Sequence, residues 1–491
     1  MEKKSTGISK WGLVALVVSS SIGSGVFGIT SDLASSAAPG PAILSWIIVG
    51  IGILALVLSL NHLGEKRPDL DGGIFGYAEA SFGKLGGFIS GWGYWLSAWL
   101  GNVAFATMLM SAMGEFFPIF KGGQNVPSIL FASIFIWGLT LLVNNGVEGA
   151  SVINTIVTIC KLVPLFLFLI FVFIAFKVNI FTADFWGNVS DNLVNGTGQQ
   201  GTIWLQIKGC LMVMMWVFVG IEGASVLANR AKKRSEAQQA SIIGLLCLLF
   251  IYILASILPY GVLSQEELAT ISQPAMANIL KGIVGNWGAA LINIGLIISI
   301  IGSWLSWTML PAETTMLMAR DGLLPKGWGK TNKKNAPTYS LVVTAILTNL
   351  FLLTFLVTDY AYQFAYSLCT AAILICYLLV GIYQVQFSLK EGIKKQVVIG
   401  GIAVVFELMG IILAGFSYVL LCSIAYLPGF CFYWIACRET KHQITGKEKV
   451  MIGLICVAAL LSIGLLAVGW IKIYGGKKHE NRKFRCRRMA K

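Results

Sequence analysis

The chain has 491 residues, of which 56% are hydrophobic and 12% charged, with a mean hydropathy of +0.78 and a formal net charge of +14. A soluble domain carries about 25% charged residues, and a folded interior cannot hide this much apolar surface, so a water-soluble globule is excluded and the bilayer is the implied solvent. The positive charge then reads as loops held at the anionic cytoplasmic leaflet rather than as a nucleic-acid surface.

The N-terminal MEKKSTGISK (1–10) is basic and runs straight into an apolar stretch with no clear small-residue cleavage site. It reads as a cytoplasmic N-terminus ahead of a first membrane helix, not as a cleaved leader. A crossing needs about 20 mostly apolar residues. By that measure spans are expected at 11–30, 41–61, 86–115, 127–144, 151–176, 203–228, 239–262, 287–318, 340–358, 362–387, 397–414, 416–437 and 449–473.

Basic residues collect in alternate loops: Lys66 and Arg67 after the second span, Arg230, Lys232, Lys233 and Arg234 after the sixth, and Arg320 to Lys334 after the eighth. The loops between hold little beyond Lys121, Lys177, Lys281 and the acidic SQEEL (264–268). Even-numbered spans are therefore expected to end in the cytoplasm. One feature conflicts. The tail KKHENRKFRCRRMAK (477–491) is strongly basic, yet thirteen crossings place it outside, so the expected count is twelve or thirteen.

Two spans carry glycines where a membrane helix is least tolerant of them. In SSSIGSGVFG (19–28), three serines, Gly23, Ser24, Gly25 and Gly28 crowd the middle of the first span. Glycine costs up to about 1 kcal/mol in a helix interior, and serine competes for backbone groups. In WVFVGIEGAS (216–225), Gly220 and Gly223 flank Glu222 deep in an apolar run. Broken helices are tolerated in a membrane only where protein or a water-filled cavity surrounds the break, and an intramembrane acid is a functional candidate. Breaks in the first and sixth spans are the expected mark of two inverted five-helix repeats with a binding site at the bilayer midplane. The competing reading is close helix packing through small residues.

No other chemistry stands out. The ten cysteines are scattered, many inside apolar runs, without CxxC spacing, and the three histidines are isolated, so no metal or cofactor is expected. There is no phosphate-binding glycine loop, no nucleophile–base set and no ring suited to a channel filter, so an enzyme or ATP-driven pump is not indicated.

At IGSGVFG (22–28), RPDLDGGIFGYA (67–78), YWLSAWLGNVAFA (94–106), WVFVGIEGAS, WLSWT (304–308) and ARDGLLP (319–325) the sequence resembles the amino acid–polyamine–organocation superfamily, over residues 10 to about 435. It looks closest to the basic amino acid/polyamine antiporters, and RPDLDGG and NIFTADFWG (179–187) resemble the arginine/ornithine branch. The resemblance implies an all-α polytopic membrane protein of 12–13 transmembrane helices. Residues 1–10 are then the cytoplasmic N-terminus, 11–387 a transporter core of two inverted five-helix repeats with broken helices one and six, 388–475 additional C-terminal helices and 476–491 a basic tail. It further implies a multi-pass protein of a bacterial plasma membrane, with the N-terminus cytoplasmic, small amino acid and amine substrates, no nucleic acid, and a homodimer as found among relatives.

Carried over by residue, the resemblance places a substrate carboxylate at Gly23, Ser24 and Gly25, and the α-amino group at carbonyls of Trp216 and Val219. It places the side chain among Tyr94, Asn102, Phe105, Trp216 and Trp307. Aromatic faces attract a cation or stack on a flat group; the alternative for any one of them is an interfacial or core role. Glu222 matches a position implicated in proton sensing and gating. Lys161 matches a fifth-helix lysine that stands in the place of a sodium ion; a lysine snorkelling to the surface is the other reading. Cys369 and Thr370 fall where relatives carry side-chain specificity. Cys376 and GITSD (28–32) depart from arginine/ornithine relatives. The whole-chain likeness to exchangers of lactic acid bacteria that swap an amino acid for its amine leads to histidine/histamine antiport as the expected activity. Arginine/ornithine antiport and proton-coupled amino acid uptake are the alternatives.

Overall fold

A computed structural model describes residues 7–70, 72–187, 202–356, 361–414 and 416–468. The basic tail lies outside the described residues, as does the end of the last expected span beyond 468. In chain order the α-helices are α1 (Lys10–Ser21), α2 (Gly25–Ala34), α3 (Pro39–Lys66), α4 (Ile74–Met113), α5 (Val126–Asn144), α6 (Val147–Ala175), α7 (Val178–Ala183), α8 (Ile203–Val217), α9 (Gly223–Val226), α10 (Arg234–Ile257), α11 (Gln265–Thr270), α12 (Ala275–Val284), α13 (Asn286–Arg320), α14 (Thr338–Leu352), α15 (Ala361–Lys390), α16 (Lys394–Ala414), α17 (Phe416–Glu439) and α18 (Gly446–Ala467).

The chain is a polytopic all-α membrane protein. Among the described residues eleven helices are individually long and apolar enough to cross a bilayer, and α1 with α2, bent by 45° at their break, makes a twelfth. The α8–α9 pair stands where the sixth span is expected; α8 alone has 15 residues, short of the roughly 20 a crossing needs. The helices begin where local chemistry starts them. Ser9 accepts from the Gly12 amide at 3.2 Å, Asn125 caps α5 ahead of Pro127, and Thr445 with Glu448 forms a capping box on α18.

Two features add to the sequence expectation. α4 is two helices that meet at Gly83, whose backbone is non-helical (φ 75°, ψ −172°), and the second of them carries the span expected at 86–115. The stretch 79–87 that holds this break carries Glu79, Lys84 and the glycines Gly83, Gly86 and Gly87. Between α10 and α13 the chain also forms α11 and α12, too short to span, with Ala275, Met276, Ile279 and Leu280 of α12 packed inward.

The interior lies around α4, α15 and α13, whose most apolar 18-residue windows are 78%, 72% and 61% buried, against 11% for α18. The last helix is therefore peripheral, leaning on α17. Large apolar side chains such as Leu130, Ile134, Phe173 and Leu460 face outward, where lipid is the favourable surrounding. Ahead of α1, the Ile8 amide donates to the Arg230 carbonyl at 2.7 Å, and Ile8 accepts from the Lys232 amide at 2.9 Å. The Arg230 guanidinium in turn lies 2.8 Å from Glu313 on α13 and 3.5 Å from Glu148 on α6.

Candidate functional site between two broken helices

The first span ends its helical ladder at Ser21 and restarts at Gly25. The break frees carbonyls that no intrahelical amide can reach, and other helices supply the donors. Lys161 Nζ on α6 donates to the carbonyls of Ile22 (2.7 Å) and Ser19 (3.0 Å). Ser303 on α13 donates to the same two carbonyls at 2.8 and 2.7 Å. Ser299, one turn earlier, reaches Ile22 and Gly23 at 2.9 and 3.0 Å, and Trp307 Nε1 reaches Ser20 at 2.9 Å. Lys161 is fully buried, so it does not snorkel. Beside it, Asn154 Oδ1 accepts from Ser19 (2.9 Å) and Ser306 (3.1 Å).

The other side of this break is open. Ser24 makes no side-chain cap to α2, so the leading amides of α2, which a helix start leaves without intrahelical partners, are the natural place for an anion. Gly25 abuts the sixth span: a Cβ there would lie 3.1 Å from Val217 and 3.4 Å from Trp216 Nε1.

The sixth span breaks between Val217 and Gly223, turning at Gly220 with φ 105°. A Cβ at Gly220 would meet the Ser20 backbone at 2.8 Å, so the position demands glycine on both counts. The Ser20 hydroxyl donates to the Gly220 carbonyl at 2.7 Å, tying one break to the other. Glu222 is fully buried. One of its carboxyl oxygens accepts from the Gly220 amide at 3.1 Å and from the Tyr377 hydroxyl on α15; the other has no hydrogen-bond partner. Tyr94 of α4 faces the same carboxyl group.

Between the breaks lies a cavity with about 300 Å³ of empty space, lined by Gly23, Ser24, Gly25, Phe105, Trp216, Val219 and Trp307 together with Ser20, Ser21 and Val217. Seven residues singled out in the sequence are thus brought to one wall. Tyr94, Asn102 and Cys369 stand behind it. Asn102 donates to the Trp307 carbonyl at 3.2 Å, and Cys369 pairs with Ser97 at 3.3 Å across Gly101 from Trp307. At the sixth break the Trp216 carbonyl accepts from the Val219 amide at 3.1 Å and the Val217 carbonyl from Tyr252 at 2.9 Å. Sequence reasoning missed Tyr377, which lies in an apolar run without a distinguishing pattern. It also missed Ser299 and Ser303, whose spacing of four on one face of α13 was a usable signal.

The amino acid permease family matches residues 8–416. Over 478 residues the chain is 57% identical to an arginine/ornithine antiporter of Latilactobacillus sakei, covering 96% of this chain and 99% of that one. It is 46% identical to the arginine/ornithine antiporter ArcD1 of Lactococcus lactis, covering 95% and 91%, and 38% identical to an arginine/ornithine antiporter of Pseudomonas aeruginosa, covering 94% and 97%. In fold it resembles a Na+-coupled sialic acid symporter in a substrate-bound outward-open state, with a TM-score of 0.52, 14% identity, and 83% and 89% of the two chains covered. A bundle of membrane helices broken at its first and sixth positions, matched along nearly its whole length by these antiporters, belongs to the amino acid permeases of the amino acid–polyamine–organocation superfamily, in the basic amino acid/polyamine antiporter family.

Proposed function

We propose that the chain is an amino acid exchanger that imports arginine and exports ornithine by alternating access. The support is the near-full-length identity to antiporters bearing those substrates' names, joined to a cavity that offers helix-start amides on one side and aromatic faces on the other. The expected histidine/histamine pair receives no support from these relatives; what favours it is the set of departures at Cys376 and GITSD and the likeness to exchangers of lactic acid bacteria, so it is the second reading.

In the proposed binding mode the substrate carboxylate takes the amides at Ser24 and Gly25, where the α2 dipole favours an anion, beside Gly23, whose own amide donates to the Ser21 carbonyl at 2.9 Å. The α-ammonium lies against the Val219 and Trp216 backbone, whose carbonyls have a second lone pair to offer. The cationic side chain lies among Phe105, Trp216 and Trp307, with Tyr94, Asn102 and Cys369 shaping the wall from behind. Lys161 holds the first break as a fixed ammonium, which removes the need for a bound sodium ion. Glu222, held by Tyr377, gains and loses a proton as the sixth break opens and closes. A homodimer with cytoplasmic N-termini is the proposed assembly.

The test is counterflow in proteoliposomes. Vesicles loaded with ornithine are expected to take up labelled arginine without a sodium gradient, and empty vesicles are not. Uptake of labelled histidine into histamine-loaded vesicles, with arginine inert, overturns the arginine assignment in favour of the second reading. Uptake into empty vesicles that a protonophore abolishes overturns exchange altogether.

A further inference from the structure

A second void among the described residues is lined by none of the residues that line the cavity between the breaks. A groove with about 1900 Å³ of empty space, against about 300 Å³ between the breaks, runs between the start of α4, α15, α17 and α18. Its walls are mostly apolar, with Leu379 of α15 and Leu454 of α18 among them, and include Lys84, His442 and Lys447; Lys84 Nζ and Thr440, at the α17–α18 turn that carries His442 and Lys447, both lie beside Gly322. The groove exists because α18 leans on α17 and buries little of itself, leaving a channel along its inner side.

The depth of the groove matches one leaflet. On α18 its lining extends from Lys447 to Ala458, which at 1.5 Å per residue is about 16 Å, half of a hydrocarbon core about 30 Å thick. The basic end coincides with the α17–α18 turn, where Arg438, Lys441, Lys447 and Lys449 outnumber Glu439 and Glu448. The acidic neighbours are fewer. The Glu448 carboxylate is already engaged by the Thr445 amide (2.7 Å), Tyr433 (2.9 Å) and His442 (3.3 Å), and Glu79 lies within electrostatic reach of both Lys84 and Asp321.

We propose that this groove binds one anionic phospholipid, with its phosphate held by Lys84 and Lys447 and its acyl chains laid along α15 and α18. Basic pockets between membrane helices recognise anionic headgroups, and an apolar slot one leaflet deep suits an acyl chain better than a helix of a second copy, which would have to run the full bilayer.

Native mass spectrometry of the full chain, released from nanodiscs of equal phosphatidylglycerol and phosphatidylcholine, tests this. One phosphatidylglycerol retained per chain is expected. In the Lys84→Gln/Lys447→Gln double variant, retention of that lipid should fall by about 25-fold, at roughly fivefold per lysine, with phosphatidylcholine unchanged. Ala458→Trp, which plugs the deep end and leaves the lysines in place, should also displace it. Equal retention of the two lipids by the wild-type chain, phosphatidylglycerol retention unaltered by both variants, or a lipid-free dimer would each overturn the proposal.

Discussion

The two broken helices solve one problem in different ways. Each leaves carbonyls inside the membrane without intrahelical donors. At the first break the donors come from other helices and form a dense set: Lys161, Ser299, Ser303 and Trp307 serve the carbonyls of Ser19, Ser20, Ile22 and Gly23. At the sixth break the turn is closed largely by the chain itself, through Gly220 and the carboxyl of Glu222, with Tyr377 and Ser20 as outside partners. Fixed, mutually satisfied donors make a rigid element. A turn that rests on one ionisable group with an unpartnered oxygen can change its bonding when a proton comes or goes. In the proposed exchange cycle the first break is the anvil and the sixth the moving part.

Breaking that contrast at its strongest point gives the largest expected effect. Lys161→Met removes both charge-assisted bonds to the first break, each worth about 1.5–3 kcal/mol, and exchange in proteoliposomes should fall by about a hundredfold or more. Near-wild-type exchange would show that the first break holds its shape without the ammonium. Gly220→Ala strikes the sixth turn. A Cβ at φ 105°, 2.8 Å from the Ser20 backbone, costs about 1–3 kcal/mol, and the melting temperature in detergent should drop accordingly. Glu222→Gln leaves an acceptor for Tyr377 but nothing to titrate, so the pH profile of exchange should flatten while the protein stays folded. An unchanged profile removes Glu222 from the moving part. Trp307→Phe takes one neutral bond from Ser20, about 1 kcal/mol, so the apparent affinity for substrate should weaken by about fivefold.

The smallest effect lies outside both breaks. In the loop helix α11 the Ser264 amide and hydroxyl hold the Glu267 carboxyl below its ordinary value of 4.5. Its capping contribution is complete above that value and is lost as the pH falls below it. Glu267→Gln should lower stability by a few tenths of a kcal/mol at neutral pH and remove that acid dependence, as read by melting curves between neutral and mildly acidic buffer.

Much of this architecture was legible before any coordinates. Hydropathy located every long span because a membrane crossing has one dominant requirement, and clustered glycines located both breaks because a helix cannot absorb them unnoticed. What stayed hidden depended on tertiary neighbours. Lys161 in an apolar run fits snorkelling as well as burial until the carbonyls of Ser19 and Ile22 are seen around it. Tyr377 is one aromatic among many, and only folding sets it on Glu222. Asn102 and Cys369 were placed in the pocket wall by family pattern, and the fold sets them a layer behind, a distinction that sequence spacing does not carry.

The short backbone pairing of Ile8 with Arg230 and Lys232 stitches the leading end of the first broken helix to the trailing end of the sixth. Through Arg230 the same seam is clasped to Glu313 and Glu148. In the proposed exchange cycle this seam makes the two half-helices move as a single lever, with the breaks as its fulcrum and one guanidinium as its latch. On that reading Ile8, just ahead of the first span, belongs to the machinery, and a change placed there is expected to act on the hinge as much as on the tail.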